Sequence, residues 1–501
     1  MCVLPFPARM RQRADALSSP IHNESTPPVR EGKSRQAWMK GRKRGRRVTG
    51  ICPAAAGSPT PRGATPSRFV TPKTTVPARP AGAARGSAAE PRGCGPRGRG
   101  YNDGMLFTLA RRLLTEPDPR AVGAFLYKFG WKGMRAVKAF MRRRARGEVF
   151  PAFTFISVTN RCNLRCRGCW ATGAAKPRDM EAATLSGIIA GAKARGAAFF
   201  GILGGEPLLY PGLLDVFAAH RDCYFLLFTN GLLLDDAVAR RLRALGNVSP
   251  LVSIEGRAEE SDRRRGGVNV YARSMAGLAC CRRHRLVTGV ATSVCKNNLE
   301  DLASEEFVNE LARRGVHYLW YYIYRPAGPD PAYELALSGG EVRRLREFIV
   351  DARRRAPLMI VDAYWDHDGK ALCPAAVGIA HHIAPSGLVE PCPPIQFAGD
   401  RVGPDSDLHA LYTGSRFLAR FRDTACAATR GCILMEQPAA LERLVREEQA
   451  IDSSGRGTAL DELAARAPCP SHDVPGAPIP ERSRFYRFAK KHWFFGFGAY
   501  G

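Results

Sequence analysis

The 501-residue sequence has no uninterrupted apolar run of the roughly 18 residues that a bilayer-spanning helix needs, so no spanning segment is expected. A secretory core is missing too, because the opening "MCVLPFPARM" is too short and broken to form one. Acidic residues are scarce at the start. Residues 1–104 hold 20 Lys and Arg against 5 Asp and Glu, a net +15 of the overall +29. The remaining residues hold 55 against 41, a net +14, so about half of the basicity belongs to this stretch. It also lacks apolar periodicity, being mostly Pro, Gly, Ala, Ser and Arg ("PRGCGPRGRG"). Such a segment buries too little surface to offset its ordering entropy, and a disordered basic extension is expected, with Met105 as an alternative start. Charge alone is weak support for a nucleic-acid arm. Cysteine is not scarce: 15 in a long chain do not make a small secreted disulfide framework. They suit a reducing, cytoplasmic compartment and metal ligation.

From 105 to 150 apolar residues recur every three or four positions between Arg and Lys, which predicts a basic helical segment. It reads as a lid packed on the main domain or, more sharply, as an amphipathic stretch meeting a membrane or lipid-like substrate. Residues 151–355 alternate strand-like runs (153–159, 197–204, 223–230, 250–256, 287–294, 316–324) with helix-like ones (180–195, 211–221, 235–245, 269–284, 300–314), and a further helix is expected over 340–354. Six such βα units predict an α/β fold with a parallel sheet. Ligands in such folds sit at the carboxyl ends of the strands. Residues 356–440 change character, being rich in Cys, Pro and Gly, and read as a second, ligand-stapled unit. The tail 441–501 reads as helical, then aromatic and basic.

"TNRCNLRCRGCW" (159–170) follows the first strand and spaces Cys162, Cys166 and Cys169 as C-x3-C-x2-C. A disulfide leaves one cysteine over, and closed structural zinc wants four ligands. No fourth Cys or His follows before His220. A lone catalytic thiol needs no such neighbours. Three thiolates on one loop suit a [4Fe–4S] cluster with one open iron.

This triad with the aromatic Trp170 resembles the signature of radical S-adenosylmethionine (SAM) enzymes. "GGEP" (Gly204, Gly205, Glu206, Pro207) at the end of the second strand resembles the family's GGE motif, where glycines admit the methionine amino group of SAM. "VSIEG" (252–256) resembles the fourth-strand segment, giving Ser253 a ribose contact. "RRRGG" (263–267) resembles the basic segment that reaches the SAM carboxylate, with Arg265 the chosen residue. "FTNG" (228–231), with Thr229, closes the third strand as in relatives. The resemblance implies a partial (β/α)6 TIM-like barrel and reductive cleavage of SAM at the cluster. The 5′-deoxyadenosyl radical so formed takes hydrogen from a substrate, an oxidoreductase-type chemistry fed by an electron donor such as flavodoxin or ferredoxin. Tyr322 and Tyr324 on the sixth strand are candidates for lining the SAM or substrate pocket.

Cys373 and Cys392, with Gly387, give C-x13-G-x4-C, which resembles the opening of the auxiliary-cluster domains called SPASM and twitch. Cys426 and Cys432 add C-x5-C. Asp423 and Glu436 stand where two SPASM cysteines would be, so one auxiliary [4Fe–4S] cluster is expected on Cys373, Cys392, Cys426 and Cys432, with Cys469 as a substitute ligand. Four-cysteine zinc is the alternative. His381 and His382 read as flanking a hairpin, and Cys223, Cys280, Cys281 and Cys295 as small core residues. By analogy the substrate is a peptide or protein, otherwise a lipid-like or other small molecule. A metal-stabilised nucleic-acid-binding protein would leave GGEP unexplained.

Overall fold

The computed structural model describes residues 101–492. Of the basic extension expected over 1–104, residues 1–100 lie outside them, as do the last residues of the aromatic tail, while residues 101–104 open the first helix rather than being disordered. Twelve strands form in chain order: β1 Phe153–Ser157, β2 Phe199–Leu203, β3 Tyr224–Thr229, β4 Val248–Ser253, β5 Gly289–Val294, β6 Tyr318–Ile323, β7 Met359–Asp362, β8 Ala380–Ile383, β9 Leu388–Glu390, β10 Phe397–Ala398, β11 Asp400–Arg401 and β12 Ile451–Asp452. Ten of them make one sheet in the order β11-β9-β8-β1-β2-β3-β4-β5-β6-β7. All neighbours from β8 through β1 to β7 are parallel, and β8, β9 and β11 pair antiparallel. β10 and β12 form a separate pair.

The six expected strands are all present, and the helices between them include Ala182–Ala194, Asp236–Leu245 and Val270–Arg283. Two features of the sheet exceed the six-unit expectation. β7 adds a further parallel strand beyond β6, and β8 pairs in parallel with β1 on the other side, matching Thr154 with His381 and Phe155 with His382. Both strands have four residues, too short for their periodicity to stand out. The stretch rich in cysteine is thus tied into the main sheet by its own backbone.

Residues of opposite parity along each strand enter two different cores, as a two-residue side-chain period requires. Ile156, Ile202, Leu227, Val290, Leu319 and Ile360 meet the outer helices. Phe153, Phe199, Tyr224, Leu251, Trp320 and Val361 fill the concave interior. The lower end of that interior is plugged by the basic helical segment (Tyr101–Thr115, Pro119–Ala124, a π turn at Phe125–Trp131, and Lys132–Arg144). Phe125 lies 5.6 Å from Tyr224 and 6.2 Å from Tyr318 between ring centres, and Phe129 lies 5.1 Å from Phe199. These three partners open β3, β6 and β2, so the segment closes the amino ends of the strands. Its outer face still exposes Phe107, Leu114 and Trp131. The carboxyl ends of the strands are left for chemistry.

A buried charge cluster fastens the C-terminal helix Arg484–His492 to this barrel. Asp362 at the end of β7 accepts from Arg346 (3.3 Å), Arg353 (2.6 Å) and Lys490 (3.0 Å), and Glu481 pairs with Arg346 (2.8 Å) and Arg353. All five side chains are almost fully inaccessible to solvent. Burial alone would raise the Asp362 carboxyl, but Arg353, Lys490 and Arg346 together hold it well below the usual carboxylate range. Among the described residues, no helix is long and apolar enough to cross a membrane.

Candidate active site

The cysteine loop leaves β1 and folds back over the end of β2. Its position is fixed by backbone hydrogen bonds, Gly205 N–H to the Thr159 carbonyl (2.8 Å) and Glu206 N–H to the Arg161 carbonyl (2.8 Å). The approach leaves no room for side chains. A Cβ on Gly204 would lie 2.5 Å from the Thr159 carbonyl oxygen, and one on Gly205 would lie 2.3 Å from that of Arg161 and 2.8 Å from Cys162 Cβ. The two glycines therefore serve the protein's own cysteine loop, a role their motif alone did not reveal.

Glu206 is fully buried and joins the ends of β2 and β3. Its carboxylate accepts from the Thr229 hydroxyl (2.7 Å), the Asn230 N–H (2.8 Å) and the Leu208 N–H (3.1 Å). Burial pushes this carboxyl up, and the Asn230, Thr229 and Leu208 donors offset part of that rise. The Thr229 proton is thus given to Glu206.

The "RRRGG" segment props the other side of the loop. Arg167 N–H donates to the Arg264 carbonyl at 2.9 Å. Arg265 donates to Glu255 at 3.2 Å, and both side chains are buried. Arg264 stacks over the Tyr324 ring at 4.5 Å and reaches the Cys295 sulfur at 2.9 Å. Trp170 meets the His382 ring edge-on at 5.7 Å. His382 is itself held between the Ser157 hydroxyl (2.8 Å) and the Glu390 carboxylate (2.5 Å). His381 and His382 lie on the first strand of the β8–β9 hairpin.

These parts surround one cavity of about 360 Å³ at the carboxyl ends of the strands. Cys162, Cys166, Cys169 and Trp170 line it, with Gly204, Gly205, Thr229, Ser253 and Arg265. Tyr322 and Tyr324 line it too, and Tyr322 stacks on Trp320 with centroids 5.5 Å apart. Glu206 and Pro207 sit behind the wall. Cys373, Cys392 and Cys432 line the same cavity, whereas Cys426 does not. Cys426 is exposed on the helix Arg416–Ala428, its thiol 3.5 Å from the Ala376 carbonyl. Cys223, Cys280, Cys281 and Cys295 are buried core residues. Two residues that the sequence reading passed over also face the cavity: Glu255, inside "VSIEG", and Arg325, just beyond β6.

Burial, then the neighbouring Cys166 and Cys162 charges, push the Cys169 thiol up to about 12. Burial and Cys432 push Cys373 up to about 11. Thiols this reluctant to ionise become thiolates only against a strong positive centre, and metal binding would release their protons. Among the described residues no three His, Cys, Asp or Glu side chains already converge on one point as metal ligands. The donor chemistry nevertheless fits iron–sulfur ligation: sulfur donors on one tightly braced loop, walled by apolar and aromatic residues.

Residues 156–308 match the sequence profile of the Radical SAM superfamily. Among curated proteins, Fe-coproporphyrin III synthase of Methanosarcina barkeri is 25% identical over 221 residues, covering 42% of this chain and 55% of that protein. The sporulation killing factor maturation protein SkfB of Bacillus subtilis is 28% identical over 258 residues, covering 48% of this chain and 60% of that protein. The chain thus spans somewhat over half the length of these relatives. Among solved structures, SuiB of Streptococcus suis bound to S-adenosylmethionine is 17% identical with a TM-score of 0.49, covering 56% of this chain and 70% of that one.

Proposed function

We propose that the protein abstracts a hydrogen atom from a peptide or protein substrate by radical SAM chemistry, with Cys162, Cys166 and Cys169 holding a [4Fe–4S] cluster. Bound there, the cluster supplies the electron that cleaves SAM reductively to methionine and a 5′-deoxyadenosyl radical. A flavodoxin or ferredoxin feeds that electron in this reading. The observation that carries the proposal is the shared cavity, which sets the triad, the GGEP edge, Ser253 and Arg265 around one volume. Ser253 at the end of β4 offers a hydroxyl to the ribose, and the Arg265 guanidinium offers charge to the SAM carboxylate. The aromatic wall of Phe153, Phe155, Phe228 and Trp320 excludes water and offers little polar competition for the reacting atoms. A second cluster at Cys373, Cys392 and Cys432 belongs to the same reading.

The peptide substrate is supported by the likeness to SkfB, named as a maturation protein. One observation favours a second reading. The stacked Trp320 and Tyr322 rings, with Arg264, Arg265 and Arg325 nearby, suit a flat anionic aromatic molecule, and another relative is named Fe-coproporphyrin III synthase. The reduced, reconstituted protein should show an electron paramagnetic resonance signal that shifts when SAM is added. A triple Cys162→Ala, Cys166→Ala, Cys169→Ala variant that still gives the shift would refute the cluster assignment. Faster 5′-deoxyadenosine release with an iron tetrapyrrole bearing carboxylate side chains, and none with peptide fractions, would replace the peptide reading by the second.

A further inference from the structure

The second set of cysteines has three clear members and a contested fourth. Cys373, Cys392 and Cys432 wall one end of the cavity. Cys432 belongs to the main apolar core, and Cys373, Cys392 and Cys469 all pack against it. Cys426 is placed otherwise. Its thiol is exposed on the helix Arg416–Ala428, 3.5 Å from the Ala376 carbonyl, and like Cys469, which is half-buried, it does not line the cavity.

Cys469 comes 37 residues after Cys432 in sequence, yet it is bolted to that residue's turn. The Cys469 N–H donates to the Met435 carbonyl at 2.8 Å. The Cys432 N–H donates to the Ser471 hydroxyl at 3.0 Å, and that hydroxyl donates to Glu436 at 2.5 Å. A Cβ on Gly431 would lie 2.3 Å from the same hydroxyl oxygen, so the two segments are in close contact. His472 continues the clamp towards the third member. Its Nε2 lies 3.1 Å from the carbonyl of Leu372, the residue before Cys373, and its own carbonyl accepts from Trp365 at 3.0 Å. Segment 469–472 is therefore fixed to both Cys432 and the approach to Cys373. Glu436 stands where a SPASM-type cysteine would be, but its carboxylate is taken by Thr429 and Ser471 and serves the clamp.

We propose that Cys373, Cys392, Cys432 and Cys469 are the four ligands of the second iron–sulfur cluster, and that Cys426 is not one. This rests on the reading of a second cluster given above. Cys373, Cys392 and Cys432 share one wall of the cavity, and the 469–472 segment is hydrogen-bonded to the turn that carries Cys432. Arg325 supplies the counter-charge: it lines the same cavity as Cys373, Cys392 and Cys432, with its guanidinium 5.2 Å from the Tyr364 ring centre. A cation beside thiolates lowers the cost of burying an anionic centre.

The test uses the full chain with the triad removed (Cys162→Ala, Cys166→Ala, Cys169→Ala), reconstituted without oxygen, so that only the second site is read. About four irons and four sulfides per chain are expected. Adding Cys426→Ala should leave iron, sulfide and the visible spectrum unchanged. Adding Cys469→Ala should at least halve the iron or convert the centre to a three-iron form. Cys469→Ser, with a thermal melt matched to its parent, should keep iron but shift the resonance signal of the reduced centre, which separates ligation from misfolding. Iron lost with Cys426→Ala and retained with Cys469→Ala would overturn the ligand assignment. Zinc, or no metal at all, in the triad-free parent would overturn the second cluster itself.

Discussion

Gly205→Ala tests how the GGEP edge and the cysteine loop depend on each other. The new methyl would lie 2.3 Å from the Arg161 carbonyl oxygen and 2.8 Å from Cys162 Cβ, where ordinary contact begins at 3.4 Å. Relief requires about 1 Å of movement, and both obstructing atoms belong to the loop that carries the triad. Overpacking of this kind costs about 1–3 kcal/mol. A misplacement of about 1 Å at a reacting centre costs about a hundredfold in rate. Chemical denaturation followed by circular dichroism should show the stability loss, and the reconstituted variant should lose cluster or SAM-cleaving activity well beyond it. Gly340→Ala is the matched control. It lies in the first turn of the helix Gly339–Ala352, with nothing within 4 Å of its Cβ position, and should leave stability unchanged or slightly raised. A Gly205→Ala protein as stable and as active as the wild type would refute the packing argument.

Other expectations follow from the buried groups. Glu206→Gln places an amide against the Thr229, Asn230 and Leu208 donors, and should cost about 1–3 kcal/mol in a denaturation experiment. Glu481→Gln removes one of two carboxylates facing Arg346, Arg353 and Lys490, and should cost about 3–5 kcal/mol by the same measure. Asp362 and Glu481 have folded-state values below their unfolded ones, so their contribution is complete above an unfolded carboxyl value of about 4 and is lost as pH falls below it. Melting temperature should therefore drop more steeply on acidification in the wild type than in Asp362→Asn.

Much of this molecule is legible in its sequence because its strands are continuous apolar runs and its cysteine triad lies just after the first of them. Short strands were the weak point. "MIVD" and "AHHI" carry too few residues to show a period, yet they extend the sheet on both sides. The GGEP motif points to glycines that leave room for a ligand, while their tightest neighbours are Thr159 and Arg161 of the protein itself. The sequence marks Thr229 as a ligand contact; it lines the cavity and also gives its hydroxyl proton to Glu206, a partner that the motif does not reveal. Spacing pairs Cys426 with Cys432, and only the fold shows that Cys426 sits exposed on a helix outside the cavity that Cys432 lines. The clamp that brings Cys469 close runs through Ser471, His472 and Glu436, none of which a cysteine pattern marks. Long-range charge pairing hid the Asp362–Glu481 cluster in the same way, since its members come from separate elements.

The most direct measurement is 5′-deoxyadenosine release from SAM by the anaerobically reconstituted, dithionite-reduced full chain, followed by mass spectrometry. The wild type is predicted to form 5′-deoxyadenosine and methionine in equal amounts, and a Cys166→Ala variant to form neither above background. Equal product from both proteins, or none from fully iron-loaded wild type, would contradict the account.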